Sequence, residues 1–467
     1  MPKKISYIYY LWSRNIKRAA DLFIKIWIAV FITGCSTFLF HKTPSYIKVN
    51  GIHFQLDDKP YYFLGTNLWY GCYLGSSGET GNRERLIKEL DLLESLGITN
   101  LRILAASEKS EIKNSLKPAI QNSPGKYDED LLEGLDFLLN EMGKRNMYAV
   151  VFLNNYWEWS GGMAQYNAWF PDSASNKTGK VADPENPVFG WGEFMRLSAT
   201  FYTNEKANRH FKEFIRMIIT RKNKFNDYYY YEDPAIMAWQ LANEPRPWGT
   251  PEQVENYYRW VDTIAAFIHS IDPNHLVTTG NEGTMGSLGS EEYYLNAHKS
   301  RYIDYMTFHL WAKNWGWFDA KKIDETYPST ESKAVDYIKK HFKFARLLNK
   351  PVTMEEFGMA RDSEIFIPGY PSTARDRYFQ TIFQLVYDSA SAGSPISGTN
   401  FWTWGGFGRA RHNDFKWRNG DPFLGDPPQE AQGLNSVFDT DSSTLAVLKK
   451  YSHLMNLLCE GTFSSSK

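Results

Sequence analysis

The chain has 467 residues, of which 43% are hydrophobic and 22% charged, and its formal net charge at pH 7 is -1. This composition is typical of a globular protein with a sizeable core. It lacks the basic excess that neutralises phosphates, so no nucleic-acid partner is expected. Its three cysteines exclude a disulfide framework and a cysteine-based zinc site.

The first 35 residues have the features of a secretory signal. Several basic residues precede an apolar run, IWIAVFITGC, that ends at Gly34 and Cys35. The ITGC ending resembles the lipobox of bacterial lipoproteins. We therefore predict a lipoprotein-type signal peptide over 1–34, lipidation of Cys35, and a linker over 35–46. A plain signal-anchor helix is the alternative, although the run is shorter than the roughly 20 residues that span a bilayer.

This N-terminal pattern also predicts where the protein works. After cleavage the protein would be extracytoplasmic, in a bacterial cell envelope. It would be secreted or held to the membrane by the lipid on Cys35.

From residue 47 onward, short apolar runs alternate with amphipathic stretches. Residues 83–97 and 128–146 have helical patterns that end at Gly or Asn, as helix C-termini often do. This alternation predicts an α/β fold with a parallel sheet, and eight runs fit a (β/α)8 TIM barrel, a single domain over 47–467. An open doubly wound sheet is the alternative, but no G-x-G-x-x-G follows any run. The predicted strands are 61–67, 99–104, 147–155, 235–243, 275–281, 304–310, 351–358 and 398–406.

A TIM barrel places its catalytic groups at the C-terminal ends of its strands. Most of the predicted strands end in side chains that form hydrogen bonds or stack. Strand ends near solvent are often polar for that reason alone. Solvation does not explain why acids, an arginine, a histidine and tryptophans all occur at one end of the barrel. These residues are Asn67, Trp69, Arg102, Asn154, Asn155, Asn243, Glu244, Asn281, Glu282, His309, Trp311, Glu355, Glu356, Trp402 and Trp404.

The barrel prediction also bears on whether Cys72 and Cys459 can form a disulfide. Cys72 follows the first strand, at the top of the barrel, whereas Cys459 follows the last helix, at the bottom. A disulfide needs Cα atoms within about 7 Å. We therefore predict two free thiols.

Two glutamates are expected to face each other across the barrel mouth. Glu244 ends the fourth strand in MAWQLANEPRP, and PVTMEEFG supplies a glutamate on the seventh. Two carboxyl groups in this arrangement are the apparatus for cleaving a glycosidic bond. Pro245 and Pro247 stiffen the turn that presents Glu244, and Asn243 can donate to a sugar 2-hydroxyl.

These motifs resemble those of glycoside hydrolase family 5, in its β-mannanase branch. The resemblance rests on LANEP with EEFG, on NNYWEWSGGMAQYNAW (154–169), YYEDPAIMAWQLANEPR (230–246) and MTFHLWAKNWGW (306–317). It implies that Glu244 is the general acid/base and that Glu356 is the nucleophile. Glu355, one residue earlier, is the alternative and is expected to point away from the site.

The resemblance also assigns roles to the neighbours of the two glutamates. Arg102 matches the arginine beside the nucleophile, and His309 the histidine of the sixth strand. Trp311 stands where the family often has a tyrosine, which leaves open what donates to the nucleophile. Trp402 matches the central sugar platform, with Trp404 as the alternative. Candidates for neighbouring subsites are Trp69, Trp157 and Trp159.

The sequence thus predicts a retaining endo-β-1,4-mannanase acting on mannan, glucomannan or galactomannan. A β-1,4-glucanase and an exo-β-mannosidase are alternatives of the same class, and a non-catalytic, lipid-anchored glycan-binding protein is the alternative of another class. No cofactor or metal is expected, because no H-x-x-x-H pair occurs, and a G-x-S-x-G elbow is also missing. A monomer suffices. Tryptophans are expected to raise the pKa of the acid, and Arg102 and His309 to lower that of the nucleophile.

Overall fold

The computed structural model describes residues 45–172, 179–181, 183–186 and 189–460, with residues 12, 13, 16, 17, 20 and 25 in the N-terminal segment. Cys35 and most of the predicted signal peptide lie outside this part of the chain, so their predicted roles stay predictions. Residues 45–467 form a compact unit of their own. Within the described residues, no helix has both the length and the apolar character needed to cross a membrane.

Eight parallel strands form the central sheet. They are β1 Phe63–Asn67, β2 Asn100–Leu104, β3 Tyr148–Phe152, β4 Ile236–Gln240, β5 Leu276–Thr278, β6 Met306–Leu310, β7 Val352–Phe357 and β8 Ile396–Phe401. Their order in the sheet is β5-β4-β3-β2-β1-β8-β7-β6. An isolated parallel bridge between Thr278 of β5 and Tyr305, just before β6, joins the two ends of the sheet. The predicted TIM barrel is therefore confirmed.

The strands are buried almost throughout, which explains their continuous apolar sequences. The eighth is shorter at its C-terminal end than predicted. It ends at Phe401, and Trp404–Gly406 pairs instead with Val437–Phe438 outside the barrel sheet. Trp404 therefore does not lie on a barrel strand.

Helices follow most of the strands. The predicted helices over 83–97 and 128–146 are observed at Arg83–Ser95 and Glu129–Lys144, with Asn82 and Asp128 as side-chain N-caps. The α-helices are Gly71–Gly75, Arg83–Ser95, Glu129–Lys144, Gly162–Trp169, Gly190–Ala199, Glu205–Ile219, Pro251–Ile271, Glu291–His298, Ile323–Leu348, Thr373–Ser391 and Ser442–Cys459. Short 3-10 helices occur at Glu158–Ser160, Thr200–Thr203, Tyr230–Glu232 and Asp362–Glu364.

A small antiparallel sheet precedes the barrel, and its core is continuous with the interior of the barrel. It consists of Lys48–Asn50, His53–Leu56 and Lys59–Tyr61. Phe54 is buried and contacts Tyr305 edge-to-face, with ring centroids 5.2 Å apart. The apolar cluster around it takes residues from β1, β3, β4 and β5. Another short pair joins Gln121–Ser123 to Lys126–Tyr127.

Both cysteines of the described residues, Cys72 and Cys459, are free thiols, as predicted. Cys459 lies against the backbone of Tyr62, which immediately precedes β1. Cys72 follows β1 in the helix Gly71–Gly75. Burial raises the pKa of the Cys72 thiol to about 12, which makes it unreactive at neutral pH.

Glu108 supports the loop that follows β3. Its backbone N–H donates to the Ser160 carbonyl at 2.7 Å, and its Oε2 accepts from the Gly162 N–H at 2.8 Å. Its Oε1 has no hydrogen-bond partner among the described residues. Burial raises the pKa of Glu108 to about 8, against the hydrogen bond from Gly162.

We predict that Phe54→Ala lowers the free energy of unfolding by about 3–5 kcal/mol, because it opens a cavity in the buried cluster. Urea denaturation would measure this. Leu347→Ala, at a side chain that is 71% exposed, is the control and should change the value by less than about 0.5 kcal/mol. Equal effects of the two substitutions would contradict the role of Phe54.

We predict that Glu108→Gln stabilises the protein more at pH 8 than at pH 5. The pKa of Glu108 is raised by folding from 4.5 to about 8. The unfolded chain therefore binds fewer protons than the native protein between these values, and native stability falls as pH rises through this window. Glutamine does not ionise, so Glu108→Gln should raise the free energy of unfolding at pH 8 by roughly 1–4 kcal/mol relative to the parent.

The matched control is Glu111→Gln, at an exposed position of the connection after β2 that also contains Glu108. Melting temperatures of both variants and the parent at pH 5 and pH 8 give the comparison. A Glu108→Gln difference that is the same at both pH values would contradict the prediction.

Candidate active site

A cavity of about 630 Å³ opens at the C-terminal ends of the barrel strands. This is the end at which the sequence placed the polar and aromatic side chains. The connections after β3, β4, β5, β6 and β8 line the cavity, together with Glu356 of β7. The lining residues are Trp157, Glu158, Trp159, Trp191, Met195, Asn243, Glu244, Arg246, Glu282, Trp311, Asn314, Trp315, Glu356, Trp402, Pro427, Gln429 and Glu430.

Glu244 is fixed at the floor of the cavity by the turn after β4. Its φ is 50°, in the left-handed region that a residue other than glycine rarely adopts. Tyr257 donates to the carbonyl of Pro245 at 3.1 Å, and Tyr202 to that of Arg246 at 2.9 Å. The turn that the two prolines stiffen is thus also tied to the surrounding helices.

Glu356 reaches the cavity because β7 carries a β-bulge. Phe308 of β6 pairs with Met354, whereas the next residue, His309, pairs with Glu356. Glu355 is the extra residue, and such a bulge re-aims the side chains that follow it. Glu356 lines the cavity, and Glu355 does not.

Glu355 instead lies inside the barrel, below the cavity. Its carboxylate accepts from Gln240 and, at 3.3 Å, from the hydroxyl of Tyr305, and it lies 3.8 Å from the guanidinium of Arg102. Burial raises the pKa of Glu355, against the charge of Arg102. These contacts agree with the expectation that Glu356, rather than Glu355, faces the site.

Arg102 on β2 connects β7 with the turn after β4, and its side chain is fully buried. It forms a short ion pair with Glu356 and donates to Asn243 at 2.7 Å, to Gln240 at 2.9 Å and to Asn67 at 3.0 Å. A guanidinium with this many acceptors is held in one orientation. Arg102 thereby sets the position of Glu356 relative to the residue that precedes Glu244.

His309 lies between the two glutamates. Its Nδ1 is 2.7 Å from Glu244 Oε1 and 3.4 Å from Glu356 Oε2. Ionised carboxylate oxygens only accept, so we assign a proton to Nδ1. The Nδ1–H of His309 therefore donates to Glu244, and Arg102 is the hydrogen-bond donor to Glu356, for which Trp311 had left the donor open.

One oxygen of Glu244, one of Glu356 and a ring nitrogen of His309 all lie within 4.8 Å of one another. Carboxyl groups about 5–5.5 Å apart are typical of retaining glycosidases, and inverting enzymes need about 6.5–9.5 Å. The same three ligand atoms could hold a metal ion. Spacing along the sequence does not predict this set, because its members come from β6, β7 and the turn after β4.

Glu244 is held in its ionised form. Burial acts to raise its pKa, but the hydrogen bond and charge of His309, the charge of Arg246 and the hydrogen bond of Trp157 outweigh burial and lower the pKa to about 2. Trp157 Nε1 donates to Glu244 Oε2 at 2.6 Å. The indole thus meets the carboxylate with its N–H rather than with apolar surface.

Glu356 is shifted in the opposite direction. Burial raises its pKa and the charge of Glu244 adds to this, while the charges of His309 and Arg102 oppose it. The order of the two pKa values is therefore the reverse of the one predicted from the sequence. The main cause is His309, whose hydrogen bond and charge stabilise the Glu244 carboxylate, with smaller contributions from the charge of Arg246 and the N–H of Trp157.

The predicted tryptophans divide into two groups. Trp157, Trp311 and Trp402 line the cavity, and the last two meet edge-to-face with ring centroids 6.0 Å apart. Trp159 also lines it.

Trp69 and Trp404 do not line the cavity, and both side chains are fully buried. Trp69 donates from Nε1 to the carbonyl of Gly425 at 2.5 Å and packs against the ring of Trp159. Neither is therefore placed to touch a sugar, in contrast to the prediction from the sequence. Trp69 instead supports the loop that follows β8.

Sequence reasoning missed several lining residues. Arg246 forms a short ion pair with Glu282 and lies over the ring of Trp157, 4.7 Å from its centroid. Burial raises the pKa of Glu282 to about 8, against the charge of Arg246. Glu282 directly follows the fifth predicted strand, so the sequence predicted its place at the barrel mouth but not its ion pair with Arg246. The other missed residues come from the loops and short helices that follow β3, β6 and β8: Glu158, Trp191, Met195, Asn314, Trp315, Pro427, Gln429 and Glu430.

Known proteins are similar to this chain over most of its length. The family profile described as GH family 5 beta-mannosidase-like matches residues 44–460. Mannan endo-1,4-beta-mannosidase 5 of Solanum lycopersicum is 29% identical over 371 residues, which cover 76% of this chain and 80% of the relative.

Two crystal structures of a glycoside hydrolase family 5 mannosidase from Rhizomucor miehei are also similar. Each is 35% identical to this chain, and the TM-scores are 0.82 and 0.81. The first match covers 90% of this chain and 100% of the mannosidase chain, and the second covers 89% and 98%. The second is a complex with mannosyl-fructose. Since the family profile spans nearly the whole described barrel, the chain belongs to glycoside hydrolase family 5, in its β-mannosidase-like group.

Proposed function

We propose that this protein is a retaining glycoside hydrolase that cleaves β-1,4-mannosidic bonds, with Glu356 as nucleophile and Glu244 as general acid/base. The observation that carries the proposal is the approach of their carboxylate oxygens to within 4.8 Å. That spacing fits direct attack on the sugar better than attack by an intervening water. The mannosidase and mannanase relatives support the choice of mannose as the sugar.

In the first step, Glu356 Oε attacks the anomeric carbon and the glycosidic bond breaks. Glu244 donates a proton to the departing oxygen. In the second step Glu244 takes a proton from water, the water oxygen attacks the anomeric carbon, and the bond to Glu356 breaks. The sugar leaves with its original configuration, and both carboxyl groups return to their starting states.

The low pKa of Glu244 bears on the first step, which needs a proton on this residue. The two carboxyl groups titrate as a pair. A glycosidic oxygen beside Glu244 would compete for the N–H of Trp157, one of the donors that favour the carboxylate. Loss of that donor raises the pKa of Glu244 at the moment when the leaving oxygen needs its proton.

We infer internal cleavage of β-mannan as the first mode of action, as the sequence predicts. The relatives named mannan endo-1,4-beta-mannosidases support this mode. The substrate would be mannan, glucomannan or galactomannan, and the protein would act as a monomer.

Cleavage at a chain end is the second candidate, and the shape of the cavity favours it. Pro427, Gln429 and Glu430, from the loop after β8, add to the cavity lining that the loops after β3 and β6 supply. Its volume of about 630 Å³ lies in the range of pockets that enclose one small ligand. A polymer that passes through the site needs an opening on both sides.

We also propose that the enzyme works outside the cytoplasm, secreted or anchored by a lipid on Cys35. The support is the basic and apolar pattern that precedes Cys35. Mass spectrometry of the mature protein would show whether Cys35 is its acylated first residue.

Glu356→Ala and Glu244→Gln are each expected to abolish most mannan hydrolysis. Loss of the acid/base alone should lower kcat by about 10²–10⁴-fold. Reducing-sugar release by purified 36–467 from linear β-1,4-mannan, beside soluble cellulose, is the measurement. Glu355→Gln, one residue from the nucleophile and outside the cavity, is the control and should retain the larger share of activity. Full activity of Glu356→Ala, or cleavage of cellulose alone, would overturn the proposal.

Product analysis distinguishes the two modes of action. An endo-acting enzyme releases oligosaccharides of several lengths from mannan at early times, whereas a chain-end enzyme releases one short product. Proton NMR of the first product should show the β-anomer before mutarotation, because two displacements retain configuration. The α-anomer as first product would exclude the retaining mechanism.

A further inference from the structure

We propose that Trp191 is a sugar platform on the leaving-group side of the cavity, which selects substrates that extend at least two sugars beyond the cleaved bond. This inference rests on the proposed function, because the acid/base role of Glu244 defines which side receives the leaving group.

Trp191 combines exposure with a place in the cavity wall. It lines the cavity, and yet 49% of its surface is exposed. Of the other lining tryptophans, Trp159, Trp311 and Trp402 are at most 9% exposed, and Trp157 and Trp315 are partly buried. Large apolar side chains that stay exposed at the mouth of a site mark a binding surface, and an indole offers a rigid apolar face to a sugar ring.

The ring is held in place by buried neighbours. Trp191 contacts Trp157 and Phe194 edge-to-face, each with centroids 5.9 Å apart. Phe194 is fully buried in the same helix, Gly190–Ala199, in a cluster with Ala164 and Leu197. The helix is also tied to the barrel, since Tyr156 donates to the carbonyl of Met195 at 2.7 Å.

The contacts that link Glu244 to Trp191 indicate on which side of the cleaved bond Trp191 lies. Glu244 Oε2 accepts from Trp157, and Trp157 in turn contacts Trp191. A general acid lies beside the leaving oxygen, so groups that extend outward from it accompany the leaving group. Arg246 and Glu282 line the same side and offer a charged donor and acceptor to sugar hydroxyls.

The other parts of the lining offer less aromatic surface. Trp311 and Trp402 are buried, and the loop after β8 contributes the non-aromatic Pro427 and Glu430. Among the described aromatic residues of the lining, Trp191 is the most exposed.

The test compares Trp191→Ala with Trp191→Phe on two substrates. Mannotetraose can extend over Trp191, whereas 4-nitrophenyl β-mannoside cannot. We expect Trp191→Ala to lower kcat/KM for mannotetraose by about fivefold to tenfold, mainly through a higher KM, since the contact is remote from the reacting atoms. Trp191→Phe should recover most of this loss. The loss on the aryl mannoside should be clearly smaller.

Tyr229→Ala is the matched control, because Tyr229 is 39% exposed and does not line the cavity. It should leave both substrates unaffected. An equal loss on both substrates in Trp191→Ala would assign Trp191 a purely structural role and overturn the inference. No loss on mannotetraose would overturn it too.

Binding separates this inference from the proposed function. If the parent enzyme hydrolyses no mannoside, calorimetric titration of mannotetraose and cellotetraose into Glu356→Ala, with and without Trp191→Ala, decides the case. Weaker binding in the double variant supports the platform even though the hydrolase proposal has failed. Equal affinities, or no binding of either sugar to Glu356→Ala, would overturn it.

Discussion

The mouth of the barrel depends on the buried guanidinium of Arg102. It joins Asn67 on β1, Gln240 on β4, Asn243 after β4 and Glu356 on β7. A buried charge is costly unless it is paired and hydrogen-bonded, so these partners fix one another as well as the arginine. Four positions that are distant in sequence thus take up one geometry.

Acids outnumber bases around this point. Glu244, Glu282, Glu355 and Glu356 are all buried, while the nearby arginines are Arg102 and Arg246. Where carboxyl groups exceed nearby cations, some of them bind protons at neutral pH. Burial raises the pKa of Glu282, Glu355 and Glu356. The pKa of Glu244 is lowered instead, mainly by the hydrogen bond and the charge of His309.

The walls of the cavity come largely from the connections between strands and helices, and hydrogen bonds tie these connections down. Trp157 and the half-exposed Trp191 belong to the connection after β3, where Glu108 accepts from the backbone of Gly162. Asp426 holds the loop after β8 by accepting from the backbone of Gly433 and Asn435. The lining of the cavity is thus fixed by contacts outside the strands.

The sequence by itself determined the barrel, because eight apolar runs separated by amphipathic helices have one common way to bury their surface. It also determined which ends of the strands carry polar groups, including Glu244 and Glu356. Only the tertiary structure decided the rest. Trp69 and Trp404 have the same sequence character as Trp402, but packing turned them into the interior. The bulge at Glu355, the donor that Trp157 gives to Glu244, and the pairing of Arg246 with Glu282 all join residues from different strands or loops. Local patterns record burial and period along one element, and they contain no information about which side chain a neighbouring element will bring within hydrogen-bond reach.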